Sequence, residues 1–551
     1  MTALDHQNQG PTGKTEPTSA MEAQVLDDAN IAVGTERGMT VRDSLRLWPK
    51  AVIFSFFISL AIIMEGYDTS LMSNFWAYPA FLERFGDDVD SDGNPIVSAR
   101  WQTIILNSTQ VGSIIGLFIN GIITEWLGYR KTMIIAMITM IGAIFIPFFS
   151  TGLPMFLAGG IVQGIPWGIF QTLAVTYAAD ICPLKLRGYM TSWINMCWVI
   201  GQFLSVGILN GFIRRHDEWS YRIPFAIQWA WPIPIILATL FAPESPWWLI
   251  RKDRTDEARA AVEKLMTPRP DINFDMEAHL EMMRLTIQFE AQTAGAGGHY
   301  WDCFRGADRR RTEIAAMTWT TQAFCGAPFI GYGIQFMIQA GLNPDNGFSM
   351  NLGQMGLSLT GCIIAWWVMT HVGRRTMYVT GLAGMTIILL IIGFLGLASR
   401  KNSGASWAVG VLIMIMVFVF QLTVGPSCYT IVAETPSSQL RIKTVAIARA
   451  SYNAGGFITN ALMPQIIGRN AWNWGAKGGF FWAGVSALFL VWTWFRLPET
   501  KGLTYTDLDL LFEHEVPTRK FSPEAADILR PQLRSVAERG DKATVEQAEV
   551  A

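Results

Sequence analysis

Glu65-Gly66-Tyr67-Asp68 closes the apolar run Ala51 to Met64, and it is the stretch of this chain best placed to do chemistry. Two carboxyls three positions apart share one helix face if the helix continues through Asp68. A charge inside a membrane helix costs about 2.5–3.5 kcal/mol on insertion scales, so acids there call for an internal partner or a water-filled cavity. Groups of this kind can carry a proton across a membrane. The alternative is a helix that stops at Met64 and leaves both acids in an outer loop.

A second polar stripe lies near the other end of the chain. Arg449, Asn453, Gly456 and Asn460 follow a spacing of four, three and four, one face of a helix in otherwise apolar or small-residue surroundings. An arginine there either pairs with an acid, Glu434 or one from the first run, or binds substrate oxygens. Depth counted along the two runs puts Arg449 and Asp68 toward opposite ends, which argues against a direct pair between them.

The elements that must position these groups are membrane helices. Of 551 residues, 51% are hydrophobic and 16% charged, with 22 Trp and 33 Phe, and mean hydropathy is +0.28. That composition excludes an ordinary soluble enzyme. Twelve apolar stretches are long enough to cross the bilayer, at about 50–72, 101–123, 132–150, 154–177, 190–211 and 223–242, then 313–338, 351–370, 377–397, 406–430, 445–467 and 478–497. The fold expected is an all-α membrane protein of two six-helix bundles, 49–249 and 313–502, joined by a helical linker at 250–312. The ends, 1–48 and 503–551, read as polar, disordered tails. Basic residues such as Arg130, Lys131, Lys185 and Arg187 recur on one side, which places both tails and the linker in the cytoplasm.

The halves repeat. Gly128-Tyr129-Arg130-Lys131 returns as Gly373-Arg374-Arg375, Asp180 with Arg187 as Glu434 with Arg441, and Pro243-Glu244-Ser245-Pro246 as Pro498-Glu499-Thr500-Lys501-Gly502. Three motifs recurring in register point to a transporter built from parallel repeats, with its binding site between the halves. Glu125, Asp180, Glu244, Glu434 and Glu499 could pair with Arg130, Arg187, Arg374, Arg375 and Arg441 as a breakable gate, since the guanidinium fork suits carboxylates. Simple loop solvation is the competing account.

With these motifs in view the chain resembles the sugar porters of the major facilitator superfamily, and within them the fungal maltose permease or α-glucoside:proton symporter group. The resemblance rests on Glu65 to Asp68, Gly164-Ile165-Pro166-Trp167-Gly168, Pro243 to Leu249, Arg441 to Asn453 and Pro498 to Gly502, and covers residues 45–510. It implies proton-coupled import of maltose-like sugars, with Asp68 and Glu65 in coupling. It also implies a plasma-membrane monomer driven by the proton gradient, with a sugar and the lipid bilayer as partners, without cofactor, metal or nucleic acid. Sugar hydroxyls pair with amides and ring faces pack on aromatics, so the binding candidates are Asn195, Gln202, Gln322 and Asn453, with Gln171 a weaker one, and Trp167, Phe324, Tyr332 and Tyr429.

This chain departs from the family pattern at Gly160, Ser113, Ala323 and Pro328, where polar residues are usual, and at Trp247, where an arginine is common. Those departures keep a second reading open, a carrier of a hexose, polyol or exported metabolite. A sugar sensor would call for a longer tail. No P-loop or nucleophile motif supports an enzyme, and the six histidines and six cysteines show no ligand spacing.

Overall fold

The computed structural model describes residues 34–529, apart from 36–37, 77, 90–92, 94, 213, 216, 271–273, 295–298, 332–346, 399–402, 468–471 and 473. Ten helices are long and apolar enough to cross a membrane. In chain order they are Pro49–Phe75, Arg100–Leu127, Tyr129–Phe148, Leu153–Ile181, Leu184–Phe212, Trp219–Phe241, Ser349–Val372, Arg374–Ala398, Gly404–Glu434 and Gly475–Arg496. Gly306–Phe324 and Arg441–Ile467 are spans seven and eleven of the twelve. These two are the polar ones: the seventh opens on Asp308 to Glu313, and the eleventh carries Arg441, Lys443 and Arg449 with amides further along. The outer face carries the opposite chemistry: Ile138, Trp367, Phe394 and Leu488 stand with more than half their surface exposed, as bilayer-facing residues do.

Two spans are broken where they carry proline. The sixth passes from Trp219–Ile227 through a 3₁₀ turn, Gln228–Ala230, to Pro232–Phe241, and the tenth stops at Leu422 and restarts at Val424 ahead of Pro426. Proline has no N–H to continue the ladder, so the chain re-aims at both places. Gln228 at the first break bonds Asp68 of the site described below, and Gln421 just before the second lines it.

The repeat read from the sequence is exact in geometry at the third and ninth spans. Gly128 and Gly373 precede them with φ of 84° and 90°, a region open to glycine. A Cβ at either would lie 2.5 or 2.6 Å from a carboxylate oxygen, of Glu244 and Glu499 respectively. Each carboxylate in turn accepts the first two N–H groups of its helix: Glu244 from Tyr129 at 2.7 Å and Arg130 at 3.3 Å, Glu499 from Arg374 at 2.9 Å and Arg375 at 3.1 Å. A negative group at a helix N-terminus satisfies orphan donors and complements the dipole. Burial pushes the Glu244 carboxyl above its ordinary pKa, and the N–H groups of Tyr129, Ser245 and Arg130 act against that rise.

Within the first half the helices touch through glycine. A Cβ on Gly201 of the fifth span would sit 2.1 Å from the Ile63 carbonyl oxygen, and one on Gly66 would sit 2.2 Å from that of Trp198. Neither backbone can yield, so Gly201→Val should give no monodisperse protein on detergent size exclusion. Gly207→Val, on the same helix with open space around it, should behave as wild type.

Three expectations about the ends of elements need correction. The seventh span begins at Gly306 rather than 313 and its helix ends at Phe324, followed by the short helix Ala327–Ile330; the last part of the expected span, 332–338 with Tyr332, lies outside the described residues. The first expected tail already contains a helix, Val41–Leu47, whose Leu47 carbonyl accepts from the linker's Thr267 N–H at 2.7 Å. The last tail, expected to be disordered, folds over Tyr505–Glu513 and Pro523–Leu529. Thr504 and Asp507 form a capping box that starts the first of these helices, and Asp509 pairs with Arg311 at 2.6 Å in a buried setting. Thr-Tyr-Thr-Asp was the sequence signal for that helix.

Candidate functional site

A central cavity of about 520 Å³ lies between the halves. Glu65 and Asp68 both line it, so the first helix does run through them. Asn195, Gln202, Gln322, Trp167, Tyr429, Asn453 and Arg449 line it as well. Phe324 does not: it stacks on Phe489 at 5.8 Å inside the second half and is a packing residue.

The floor of the cavity is a relay across the two halves. Gln171 of the fourth span donates to Glu65 at 2.6 Å, and Arg449 of the eleventh donates through Nε to the Gln171 carbonyl oxygen at 2.9 Å. Arg449 Nη2 stands 3.6 Å from Glu65 Oε1. The guanidinium also lies 4.4 Å from the ring centres of both Trp319 and Tyr452. An arginine buried in a membrane thus has a carboxylate, an amide and two aromatic faces as partners. Of the sequence alternatives the first-span acid is the partner. The direct pair between Arg449 and Asp68 that depth argued against is not made among the described residues.

Asp68 has a different partner. Gln228, at the break of the sixth span, donates to Asp68 Oδ1 at 2.7 Å. Among the described residues the other carboxylate oxygen finds no hydrogen-bond partner, and neither do Glu65 Oε2, Asn453 Nδ2 and the Trp167 indole N–H. Acceptors and donors thus stand ready on the cavity wall, a mixed set suited to a neutral solute with many hydroxyls. Asn195 donates to Gln421 at 2.9 Å, a second bond across the halves. Gln421, Gln228, Gln163 and Tyr452 were not picked out from the sequence; amides placed just before a helix break were the available signal for the first two.

Four of the five departures from the family pattern face this one space; the fifth, Trp247, does not line it. Ser113, Gly160, Ala323 and Pro328 line the cavity, and a Cβ on Gly160 would meet the Ser108 hydroxyl at 2.3 Å.

The end of the bundle that carries the linker is closed by charge. Arg441 of the second half pairs with Asp180 of the first, and Lys443 with Glu125. Asp180 also accepts from Ser245 at 2.7 Å, while Glu434 accepts from Arg374 at 3.1 Å and Thr500 at 2.5 Å, the same motif in the other half. The expectation that all five arginines fork onto carboxylates needs correction. The guanidinium groups of Arg130 and Arg375 go to backbone carbonyls, of Leu240 for the former and of Leu497 and Trp494 for the latter. Arg187 makes no ion pair among the described residues; it stacks on Tyr505, 3.7 Å from the ring centre, with Arg441 at 3.8 Å from the same ring. Trp247, in the usual arginine place, meets Tyr505 edge-on at 5.6 Å. A tyrosine from the segment after the last span therefore sits between arginines of both halves.

At the opposite end the halves meet through neutral amides, Asn351 to Asn74 and Asn460 to Asn107, each at 3.2 Å. The cavity extends to this end, where Ser73, Asn74 and Asn351 line it.

Two six-helix halves, a polar cavity between them and a charge-sealed end define a carrier of the major facilitator type. A solved proton:xylose symporter bound to 6-bromo-6-deoxy-D-glucose has this fold, with a TM-score of 0.72 over 85% of this chain and all of that one at 19% identity. The chain belongs to the sugar (and other) transporter family, whose model matches residues 54–512. It is 40% identical over 511 residues to a general alpha-glucoside permease of Saccharomyces cerevisiae, covering 92% of this chain and 82% of that protein. With a maltose permease of the same species it shares 37% over 532 residues, covering 96% and 86%. It is a multi-pass membrane transporter, not an enzyme.

Proposed function

We propose that the protein imports α-glucosides such as maltose together with protons, by alternating access, across the plasma membrane with its linker and both tails in the cytoplasm. The observation that carries this reading is the relay Glu65–Gln171–Arg449, which joins the halves at the cavity floor through one ionisable carboxyl. A proton on Glu65 removes its charge and with it the hold on Arg449, so protonation and the rocking of the halves are linked. Asp68, held by Gln228, is the second proton carrier, reached from the cavity. Asn195, Gln202, Gln322 and Asn453 bind sugar hydroxyls, and Trp167 and Tyr429 pack on ring faces. The cavity volume lies within the range of about 300–1,000 Å³ common for small-molecule sites and has room for a disaccharide. The acid–arginine pairs Asp180–Arg441 and Glu434–Arg374, with Glu125, Glu244 and Glu499 anchoring their surroundings, form the cytoplasmic gate. The names of the yeast relatives favour α-glucosides.

The test is uptake of radiolabelled maltose into yeast lacking its own sugar carriers, with sucrose, trehalose and glucose as competitors and external pH recorded. Saturable uptake with matching alkalinisation is expected. Asp68→Asn should abolish accumulation against a gradient while surface expression stays normal; undiminished accumulation would remove Asp68 from coupling.

A second reading, a carrier of a hexose, polyol or exported metabolite, draws on Ser113, Gly160, Ala323 and Pro328 all facing the cavity. Absence of uptake for every sugar, with the protein at the surface, would select it.

A further inference from the structure

A second cavity, of about 220 Å³, opens between the fifth and eighth spans at the linker end. Its wall carries Lys185, Tyr189 and Ser192 from the first half and Trp366, Arg374 and Lys501 from the second, and no carboxylate lines it. Two carboxylates contact these residues and both are engaged: Glu434 by Arg374 and Thr500, and Glu499 by the backbone N–H groups of Arg374, Arg375, Thr500 and Lys501.

The cations are short of partners. Lys185 has no hydrogen bond or ion pair among the described residues, and the Lys501 ammonium reaches only the His371 carbonyl, at 3.1 Å. Arg374 is 8% exposed, and its Nε–H finds no acceptor among the described residues. Buried guanidinium N–H groups without an acceptor are costly, and an anion supplied from outside would satisfy them through charge-assisted bonds. Gly188 belongs to the same design: a Cβ there would lie 2.8 Å from Arg374 Nη2, so a bare backbone lets the arginine approach the fifth span.

The surroundings indicate where the anion comes from. Next to Trp366 on the eighth span, Trp367 is 67% exposed and Ile363 57%, on the bilayer face. The helix Val41–Leu47 contributes Val41 to the cavity, and its Arg42 and Arg46 are exposed. Basic residues beside a span attract anionic headgroups, and lysine stems lie along apolar surface with their charge at the interface.

We propose that this cavity binds the phosphate of an anionic phospholipid, which bridges Lys185 of one half to Arg374 and Lys501 of the other and so favours the state closed at the linker end. The site needs both halves together. A ligand that binds one state of the rocking motion shifts the population toward it.

The experiment uses the full-length protein in phosphatidylcholine nanodiscs, titrated with phosphatidylserine or phosphatidylinositol and read by native mass spectrometry. Wild type is expected to retain one anionic lipid at least tenfold more tightly than phosphatidylcholine. Lys185→Ala/Lys501→Ala should lose that preference, and Lys185→Arg/Lys501→Arg should keep it, which separates loss of charge from loss of fold. Equal retention by wild type and the alanine pair would overturn the proposal, as would equal affinity for phosphatidylcholine. Displacement of the lipid by millimolar inorganic phosphate would overturn the lipid assignment and leave a soluble-anion site. The outcome does not depend on which sugar the central cavity takes.

Discussion

Arg449→Leu is expected to lower uptake at least a hundredfold, and to lower the amount of folded protein as well. The substitution leaves Glu65 buried with only Gln171 as partner, and breaking one side of a buried ion pair costs about 3–5 kcal/mol. At about 1.4 kcal/mol per tenfold, that loss exceeds two decades. Adding Glu65→Gln to Arg449→Leu removes the stranded charge, so surface expression should return. Coupling should not return with it. The double variant is expected to exchange labelled for unlabelled sugar across the membrane while failing to accumulate it against a gradient. Counterflow and net uptake, measured on the same vesicles, separate the two. If the double variant accumulates sugar, the relay has no part in proton coupling. Arg449→Lys is a milder case: it keeps the charge but loses the planar fork that reaches Gln171 and stacks between Trp319 and Tyr452.

The second large effect is expected at the linker end, where Arg441→Ala unlocks the halves. It removes the one ion pair that, among the described residues, joins Asp180 to the second half, and it also strips one face of Tyr505 of its cation. Thr191 and Thr430 meet across the halves at 3.1 Å just inside this layer. A cysteine at Thr191, in a background without the six native ones, should react with an impermeant maleimide at least tenfold faster once Arg441 is gone. The reagent must be offered from the linker side. Tyr505→Ala should raise the rate less, several-fold, since a cation–π contact is worth about 0.5–2 kcal/mol. Tyr505→Phe should be close to wild type, because the hydroxyl makes one neutral bond, to the Ala179 carbonyl at 3.2 Å. Unchanged labelling in Arg441→Ala would mean that the amides at the other end set the conformation.

The two ends of the bundle differ in kind. Charged and stacked groups seal the linker end, whereas two amide pairs join the halves at the far end. A neutral hydrogen bond contributes about 0.5–1.5 kcal/mol net, less than a buried ion pair loses when broken. This asymmetry accounts for a cavity that extends to the amide end.

Much of this molecule is determined by its sequence alone. Apolar runs set the twelve spans because every backbone group in lipid must be bonded within its own helix. The repeated motifs set the two halves, and glycine just before the third and ninth spans supplies the positive φ with which each helix starts. Acids and amides inside apolar runs, Glu65, Asp68, Asn195, Gln322 and Asn453, mark the pathway because such groups are too costly to face lipid. The choice of partners was decided by tertiary structure. That Arg449 meets Glu65 while Asp68 meets Gln228 depends on where each helix enters the bundle and where prolines break the sixth and tenth spans. That Arg187 stacks on Tyr505 instead of pairing with an acid depends on a segment far along the chain folding back over the gate. Periodicity specifies the face on which a side chain lies, but the distance between two faces is set by the packing of the helices that carry them.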